Sequence, residues 1–461
     1  MSLDTVTLLN VSTPLPSGSD GKREVYLPLG VLYLTASLEA VGVAVDLRDY
    51  QLFCPPEEYP LAAPKFVDFL SGAAPVVAIS CMVSMLPFVL SASRDWAEEH
   101  PESTIILGGP GPSGVAEAIV RDMPWIDVVA RGEGEATLVE LVQALGNGGD
   151  IAGVAGITYR DEHGVRSTGP RRRLADLDGI PRPAYHKVPF DAYTSIPVIT
   201  GRGCPYQCAF CDVGPLWGSR VVFRSVDSVI AEIDHLQHTY GVPRVHIADD
   251  TFDLKRDRVE KLCAALAERD LSWSCLARVD LIDEELAALM AAAGCDTVFL
   301  GIESGSDQVL ESIGKGHTIR QATEKVALCI EHFGNVIASF IWGFPEETMK
   351  DFKATLFSVY SLSQLGARAG LKLLSPMPLS RLGEEYRDRL QFSPELCSVF
   401  ASFGNTTREP ATTRAAVPED LQAMIRRYPE VFAGFYHIPV HDLAEKIEYL
   451  QGFSKRLGAK M

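Results

Sequence analysis

The chain predicts two successive α/β units, a doubly wound parallel sheet followed by a β/α barrel or part of one. Three observations carry that prediction. Short apolar runs alternate with helix-period segments from residue 5 to about 144, the pattern of a parallel sheet wound by helices. A second alternation, repeating roughly every thirty residues, runs from 196 to about 376. Between them lies a stretch punctuated by Gly and Pro, which reads as a connector.

In the first unit the apolar runs 6–9, 43–47, 76–80, 104–107 and 128–130 are the expected strands. Helical spacing occupies 29–41, closed by Gly42, then 87–99, 115–122 and 135–145. Ligands of such sheets lie at the carboxyl ends of the strands. There the chain carries Ser80-Cys81-Met82-Val83-Ser84, and then Gly108-Gly109-Pro110-Gly111-Pro112-Ser113, a backbone nearly free of side chains. Such a loop either admits a bulky flat ligand to the main chain or serves as a tight strand-to-helix connection. The connector that follows holds a predicted β-hairpin turning at Asp161-Glu162-His163-Gly164, and then Pro181, Pro183 and Pro189.

The second unit is expected to contain strands at 196–200, 245–248, 272–276, 297–300, 338–342 and 370–374. Helices are expected at 226–240, 256–269, 283–293, 319–332 and 349–365. After Pro376 helical stretches at 418–427 and 440–457 form a mainly helical C-terminal segment. The implied boundaries are 1–146, 147–193, 194–376 and 377–461.

Composition narrows the function classes. A chain of 461 residues with 47% apolar and 22% charged content is an ordinary folded protein of more than one domain. Its net charge of −18 argues against nucleic-acid binding, which needs clustered Lys and Arg. The one dense basic run, Arg171-Arg172-Arg173, reads as a solvated linker. Neither a signal peptide nor a run approaching the ~20 apolar residues of a membrane span is visible. Ten cysteines without a paired framework suggest reduced thiols and a cytoplasmic setting. Seven of them (Cys54, Cys81, Cys263, Cys275, Cys295, Cys329 and Cys397) are expected as small buried hydrophobes.

The other three stand in Gly203-Cys204-Pro205-Tyr206-Gln207-Cys208-Ala209-Phe210-Cys211, just after the first strand of the second unit. Three thiolates on one tight loop can hold three corners of a 4Fe-4S cubane, a cluster that four cysteines normally hold. The fourth iron is then open to a ligand. Structural zinc wants four closed ligands, usually in two pairs. No second pair follows, and the next histidine downstream, His235, comes 24 positions after Cys211.

With these motifs in place the chain resembles a radical S-adenosylmethionine (SAM) enzyme with an N-terminal cobalamin-binding-type domain, over most of residues 5–375. The resemblance implies a Rossmann-like first domain and a partial (β/α)6 barrel. It implies three cofactors: a 4Fe-4S cluster on Cys204, Cys208 and Cys211, SAM chelating the open iron, and cobalamin. Reductive cleavage of the bound SAM would give methionine and a 5′-deoxyadenosyl radical.

Implied SAM contacts fall at the strand ends. Tyr206 and Phe210 lie in the cysteine loop. Asp249 and Asp250 replace the glycines of a Gly-Gly-Glu turn and would face the SAM ammonium through charge-assisted hydrogen bonds, or cap the next helix. Arg278 would pair with the SAM carboxylate, or form a surface salt bridge. Glu303, an acid directly after an apolar run, would meet the ribose hydroxyls. Ser339, Ile341 and Gly343 belong to a GxIxGxxE-like motif ending at Glu346, beside adenine, with Ser339 in place of the first Gly. In the first domain Ser80, Ser84, Gly108, Gly109 and Glu133 resemble a cobalamin cradle. The DxHxxG motif that supplies a lower cobalt ligand is absent, and the first histidine is His100. Related chains bind cobalamin without that ligand or have lost the cofactor.

The implied activity is cobalamin-dependent C-methylation of a small molecule, with an external electron donor of the flavodoxin or ferredoxin type. The alternative is a radical dehydration, epimerisation or cyclisation without methyl transfer. No catalytic residue is assigned. Trp217, Phe223 and Trp342 read as barrel-mouth or core aromatics. Tyr193, Tyr206 and Cys275 read as hydrogen donors or ordinary packed residues, and His317 as a loop residue.

Overall fold

A computed structural model of the chain describes residues 5–12, 15–16, 23–53, 63–148, 150–396 and 417–457. Cys54 and Cys397 lie outside the described residues. Two compact units emerge. One comprises the first strand, Arg23–Thr194 and Val417–Ala433; the other runs from Ser195 and includes the segment from Gly434.

The first unit is a seven-stranded sheet. Its strands are β1 (Thr5–Val11), β2 (Ala44–Asp49), β3 (Val76–Cys81), β4 (Thr104–Gly108), β5 (Val128–Ala130), β6 (Ile157–Asp161) and β7 (Gly164–Ser167). They lie in the order β2-β1-β3-β4-β5-β6-β7. The first five are parallel, and the order reverses between β1 and β3, the switch point at which such sheets open a crevice. Runs such as Val76–Ile79 are apolar throughout because helices cover both faces of a parallel sheet. The hairpin expected in the connector is instead the edge of this sheet, since Ile157 pairs antiparallel with Ala130. Ile157 and Tyr159 join the core formed by Val6, Val76, Ile106 and Leu138, which gives the hairpin a reason to dock. Arg131 fastens it by donating to the carbonyls of Ile157 (3.1 Å) and Thr168 (2.5 Å).

Several short helices were not anticipated, among them Ala63–Leu70, too short to display a full apolar period. Its Phe66 and Phe69 pack edge-on against Tyr50, at 5.6 and 5.2 Å between ring centres.

The second unit holds six parallel strands in sequential order: β8 (Pro197–Val198), β9 (Arg244–Ile247), β10 (Ser272–Ala277), β11 (Cys295–Glu303), β12 (Asn335–Trp342) and β13 (Arg368–Leu373). Among the described residues the sheet stays open between β13 and β8, so it is part of a barrel. The linking helices are Val226–Tyr240, Arg256–Leu266, Glu284–Ala292, Ile319–His332 and Met349–Leu365. Their ends were readable because polar residues stop them. Ser225 and Asp283 accept from backbone N–H groups of the first turn, and Thr318 and Thr348 close capping boxes with Gln321 and Asp351.

Alternation along β12 assigns its faces. Val336, Ala338, Phe340 and Trp342 are buried, and Trp342 packs on Phe352 of the outer helix Met349–Leu365 at 5.3 Å. Ser339 and Ile341 therefore face the barrel interior. The first strand is shorter than 196–200. After Ile199 the chain turns into a small antiparallel pair, Gly201–Arg202 with Val222–Phe223. A Cβ on Gly201 would sit 2.7 Å from the Phe223 ring, so only glycine permits this pairing. The cysteine triplet thus rides on the loop of a hairpin at the barrel mouth.

The C-terminal residues divide between the units: Glu419–Arg427 lies with the first, and Leu443–Leu457 with the second. Leu450 of the latter helix packs into the cluster of Trp342, Phe352 and Leu373. Among the described residues no helix is long and apolar enough to cross a membrane.

Candidate active site at the open barrel mouth

The cysteine loop is anchored at both ends. At its start the Asp249 carboxylate accepts from the backbone N–H of Thr200 (2.6 Å) and Gly201 (2.9 Å) and from the Thr200 hydroxyl. Asp250 accepts from the N–H of Gly203 at 2.9 Å. Arg258, buried, donates to the Thr200 carbonyl at 2.7 Å. Neither aspartate caps the following helix, whose N-cap is Lys255. Both instead shape the backbone that leads into Cys204. At the far end the N–H of Ala209 donates to the Ile313 carbonyl (3.0 Å), and the Ala209 carbonyl accepts from Leu382 (2.9 Å). Ala209 is fully buried among Leu310, Ile313 and Phe344, and Phe210 stands edge-on to Phe344 at 6.0 Å.

Along this loop the three thiols stay half-buried, Cys204 and Cys208 between the anchors and Cys211 just past the second. Cys204 Sγ lies 3.5 Å from the Thr251 hydroxyl, and Cys211 Sγ accepts from the N–H of Val213 at 3.4 Å. Burial pushes the Cys211 thiol up to about 12, with Cys208 and Cys204 close enough to push the same way. Among the described residues no three Cys, His, Asp or Glu side chains are gathered around one point as ligands of a single ion would be. A cubane takes each thiolate on a different iron.

Arg278 was expected against a SAM carboxylate or on the surface, and it is neither bare nor exposed. Its Nε and Nη2 donate to Asp280 at 2.8 and 3.1 Å, and Nη2 also donates to the Lys315 carbonyl at 2.8 Å. Its guanidinium carbon lies over the Tyr206 ring, 3.4 Å from the ring centre. Tyr206 belongs to the cysteine loop, so Arg278 braces that loop from below. The backbone N–H of Arg278 is held in turn by both oxygens of Asp253, at 3.1 and 3.0 Å.

Burial raises the Asp253 carboxyl to about 7 and the Asp249 carboxyl to about 6, against 3.8 for either when exposed. The native state therefore holds more protons than the unfolded chain between these limits. Stability from this source is fully present below pH about 4 and is lost as pH rises toward 7. We expect the unfolding free energy of the metal-free protein, read from urea titrations, to fall over that window, with a slope of up to about 1.4 kcal/mol per pH unit for each group. Asp253→Asn should flatten the fall, and an unchanged pH profile would show that this carboxyl titrates normally.

The barrel interior beside the loop is built on small residues. Gly301, Ser339 and Gly370 stand in one row across β11, β12 and β13. A Cβ on Gly370 would meet nothing within 4 Å. At the end of β11 the register slips between Gly301 and Glu303, and Glu303 takes a φ of +73°, the only positive value outside glycine among the described residues. Such a conformation is costly for an L side chain and is held by its surroundings. The Lys315 ammonium donates to Glu303 Oε1 at 2.9 Å over Gly301. Lys372 of β13 approaches the same carboxylate; burial lowers the pKa of its ammonium while Glu303 pulls it up. Sequence reasoning missed both lysines. A charged residue at an interior-facing position of β13 was the available signal for Lys372.

Beyond β12 the Gly343 turn (φ +87°) is closed by Glu347, whose Oε2 accepts from the Gly343 N–H at 2.9 Å. Glu346, the acid expected to end this motif, is exposed. The residue that turns back onto the Gly343 turn is its neighbour Glu347, whose side chain runs into the core. There it meets fully buried Lys446 of the C-terminal helix, which donates to the Glu347 carbonyl (2.6 Å) and to Oε2 (3.0 Å). Trp342 is core, and Phe223 lies against Gly201 under the Arg258 guanidinium.

In the first unit the carboxyl-end loops lie on one another. A Cβ on Gly109 (φ +93°) would come within 2.9 Å of the Cys81 carbonyl, and one on Gly111 within 2.8 Å of the Met82 carbonyl. Glycine is needed here for the Ser80–Met82 turn to nest against the loop from Gly108. Gly108 itself has only ordinary contact with Ala130. The buried Ser84 hydroxyl has no partner, an orphan at the crevice. Glu133 turns toward the connector, where Oε2 accepts from the Leu174 N–H at 2.7 Å. Tyr193 donates to Asp49 at 2.9 Å, deep in the same unit, and Cys275 is buried in β10.

Comparison with known proteins agrees with this layout. The profile of the B12 binding domain matches residues 23–142, and that of the Radical SAM superfamily matches residues 198–359. An uncharacterized methyltransferase of Pyrococcus horikoshii is 37% identical over 316 residues, covering 67% of this chain and 68% of the relative. The anaerobic magnesium-protoporphyrin IX monomethyl ester cyclase of a Synechocystis species is 28% identical over 359 residues, 75% of this chain and 70% of the relative. Among solved structures, the radical S-adenosylmethionine methyltransferase TsrM from Kitasatospora setae, with cobalamin and a 4Fe-4S cluster bound, aligns over 95% of this chain and 83% of its own with a TM-score of 0.67. At 21% identity that likeness speaks for the fold. With both profiles in this order and a relative of this identity matched over more than two thirds of its length, the chain belongs to the radical SAM superfamily, among the members that carry a B12-binding domain ahead of the barrel.

Proposed function

We propose that this chain is a cobalamin-dependent radical SAM methyltransferase that methylates carbon in a small molecule. The observation that carries the reading is the loop of Cys204, Cys208 and Cys211, gripped at both ends while its thiols stay reachable at the barrel mouth. When bound, the cluster and SAM supply a 5′-deoxyadenosyl radical, and cobalamin supplies the methyl group.

The protein's part is to hold and orient. The three cysteines are the cluster ligands in this reading, with Asp249, Asp250 and Arg278 fixing the loop from behind. Glu303, oriented by Lys315, offers its carboxylate to ribose hydroxyls. Ser339, Ile341 and the Gly343 turn border the adenine, with the open space over Gly370 beside them. Tyr206 and Phe210 shape the loop around the ligand. The first-unit crevice suits a cobalamin: Gly108 and Gly109 leave main chain uncovered, Ser80 flanks them, and the orphaned Ser84 hydroxyl needs a partner. Glu133 acts there by pinning the connector. A cytoplasmic protein fed by a flavodoxin- or ferredoxin-type donor fits this chemistry, and the acidic balance favours a small molecule over nucleic acid.

The test is SAM carrying a labelled methyl group, supplied to anaerobically reconstituted protein with candidate substrates. Label in the product is the expected result. Formation of 5′-deoxyadenosine with an unlabelled product would replace methyl transfer by the second reading, a ring-forming or rearranging radical enzyme, which similarity to the cyclase favours.

A further inference from the structure

The loop Ile313-Gly314-Lys315-Gly316-His317 is where the three parts of the second-unit site meet. Ile313 accepts from Ala209 in the cysteine loop. Gly314 (φ +72°) lies beside Gln207 of the same loop. Lys315 uses its carbonyl for Arg278 and its ammonium for Glu303. Gly316 (φ +80°) rests against Arg278 and Asp280, and Thr318 starts the next helix with a capping box. Every residue of the loop has a task except His317.

His317 is only 7% exposed, and neither Nδ1 nor Nε2 has a partner in good hydrogen-bond geometry, the Ile302 carbonyl acting on the ring only weakly. Other imidazoles of this unit are provided for. His246 shares a hydrogen bond with the Ser274 hydroxyl (3.0 Å), and His437 with that of Ser393 (3.1 Å). Buried polar groups without partners are rare in native proteins and costly, so the missing partner needs an explanation. Around the ring stand Lys315 of the same loop, Asp280 and Arg278 just after β10, and the Ile302 backbone carbonyl in β11, an acceptor that favours a ring N–H. Burial and the Lys315 charge depress its pKa, which leaves a neutral ring with one donor and one acceptor nitrogen.

We propose that His317 is a hydrogen-bonding partner of the SAM molecule held beside Glu303, and that the ligand completes the pairing the free protein lacks. This rests on the reading of the barrel as a SAM site. It separates His317 from Arg278, Lys315 and Asp249, which brace the site through other protein groups.

The experiment compares wild type, His317→Leu and His317→Asn, each reconstituted with iron and sulfide. Three quantities are measured: iron per chain, SAM affinity by equilibrium dialysis, and the melting temperature of the metal-free protein. Iron content should be equal in all three. His317→Leu should weaken SAM binding about tenfold, the effect of one lost hydrogen bond, and His317→Asn should recover most of it. The melting temperature of metal-free His317→Leu should hold or rise, because the variant removes an unsatisfied polar group. SAM affinity unchanged in His317→Leu, with wild type binding normally, would overturn the role of His317 alone. A falling melting temperature together with equal losses in both variants would mark the ring as a packing element and also overturn it. Wild type that carries its cluster and binds no SAM would instead overturn the site reading on which the proposal stands.

Discussion

Alanine in place of Cys204, Cys208 or Cys211 is expected to abolish the iron–sulfur chromophore and to reduce SAM cleavage to background. A cubane held on two thiolates loses a third of its protein ligands and gains a second exposed iron. The fold should survive, because nothing structural depends on the sulfurs. The loop is carried by Asp249, Asp250, Ala209 and the Arg278–Tyr206 stack, and the thiols add one hydroxyl contact and one weak N–H···S contact. Each substitution should therefore change unfolding free energy by no more than about 1 kcal/mol, as for partly exposed side chains elsewhere. Iron and sulfide analysis, visible absorption and 5′-deoxyadenosine release read the first effect, and urea denaturation reads the second. A triple alanine variant that keeps a 4Fe-4S spectrum would remove the cluster from this loop.

The largest expected loss of stability is at Lys446→Met. Lys446 and Glu347 are both buried, and their pairing closes the Gly343 turn against the C-terminal helix. Burial pushes the Glu347 carboxyl up and Lys446 draws it back down, so removing the lysine leaves a buried acid with too little compensation. Breaking such a pair on one side costs about 3–5 kcal/mol. Urea denaturation followed by circular dichroism should show a loss of this size. The double variant Lys446→Met with Glu347→Gln should recover part of it, since no charge is then stranded. If the Gly343 turn borders adenine as proposed, SAM affinity should fall in the single variant as well, because the turn loses its support. A single variant as stable as wild type would show that the pair contributes no net stability.

Much of this architecture was legible in the order of residues. The helices 226–240, 319–332 and 349–365 were placed residue for residue, because Ser225, Thr318 and Thr348 stop them with local hydrogen bonds. The strands followed from apolar runs whose burial on two faces demands continuous hydrophobicity. The connector hairpin was visible as a hairpin but not as a sheet edge, since its partner β5 is distant in sequence and the pairing depends on Arg131 and Tyr159 reaching across.

The site divides in the same way. The cysteine spacing was a local signal, and so were the acid after β11 and the glycines after β4. What those residues do was settled by groups far along the chain. Asp249 and Asp250 serve a backbone nearly fifty positions earlier, Arg278 stacks on Tyr206, and Glu347 rather than Glu346 turns inward because Lys446 waits there. Sequence alone determined the elements and the spacing of the three cysteines, because capping, periodicity and motif spacing act over a few residues. Only the tertiary structure decided which of these side chains brace the cysteine loop and the strand ends, because buried charges find partners by proximity in space, and no local pattern records that.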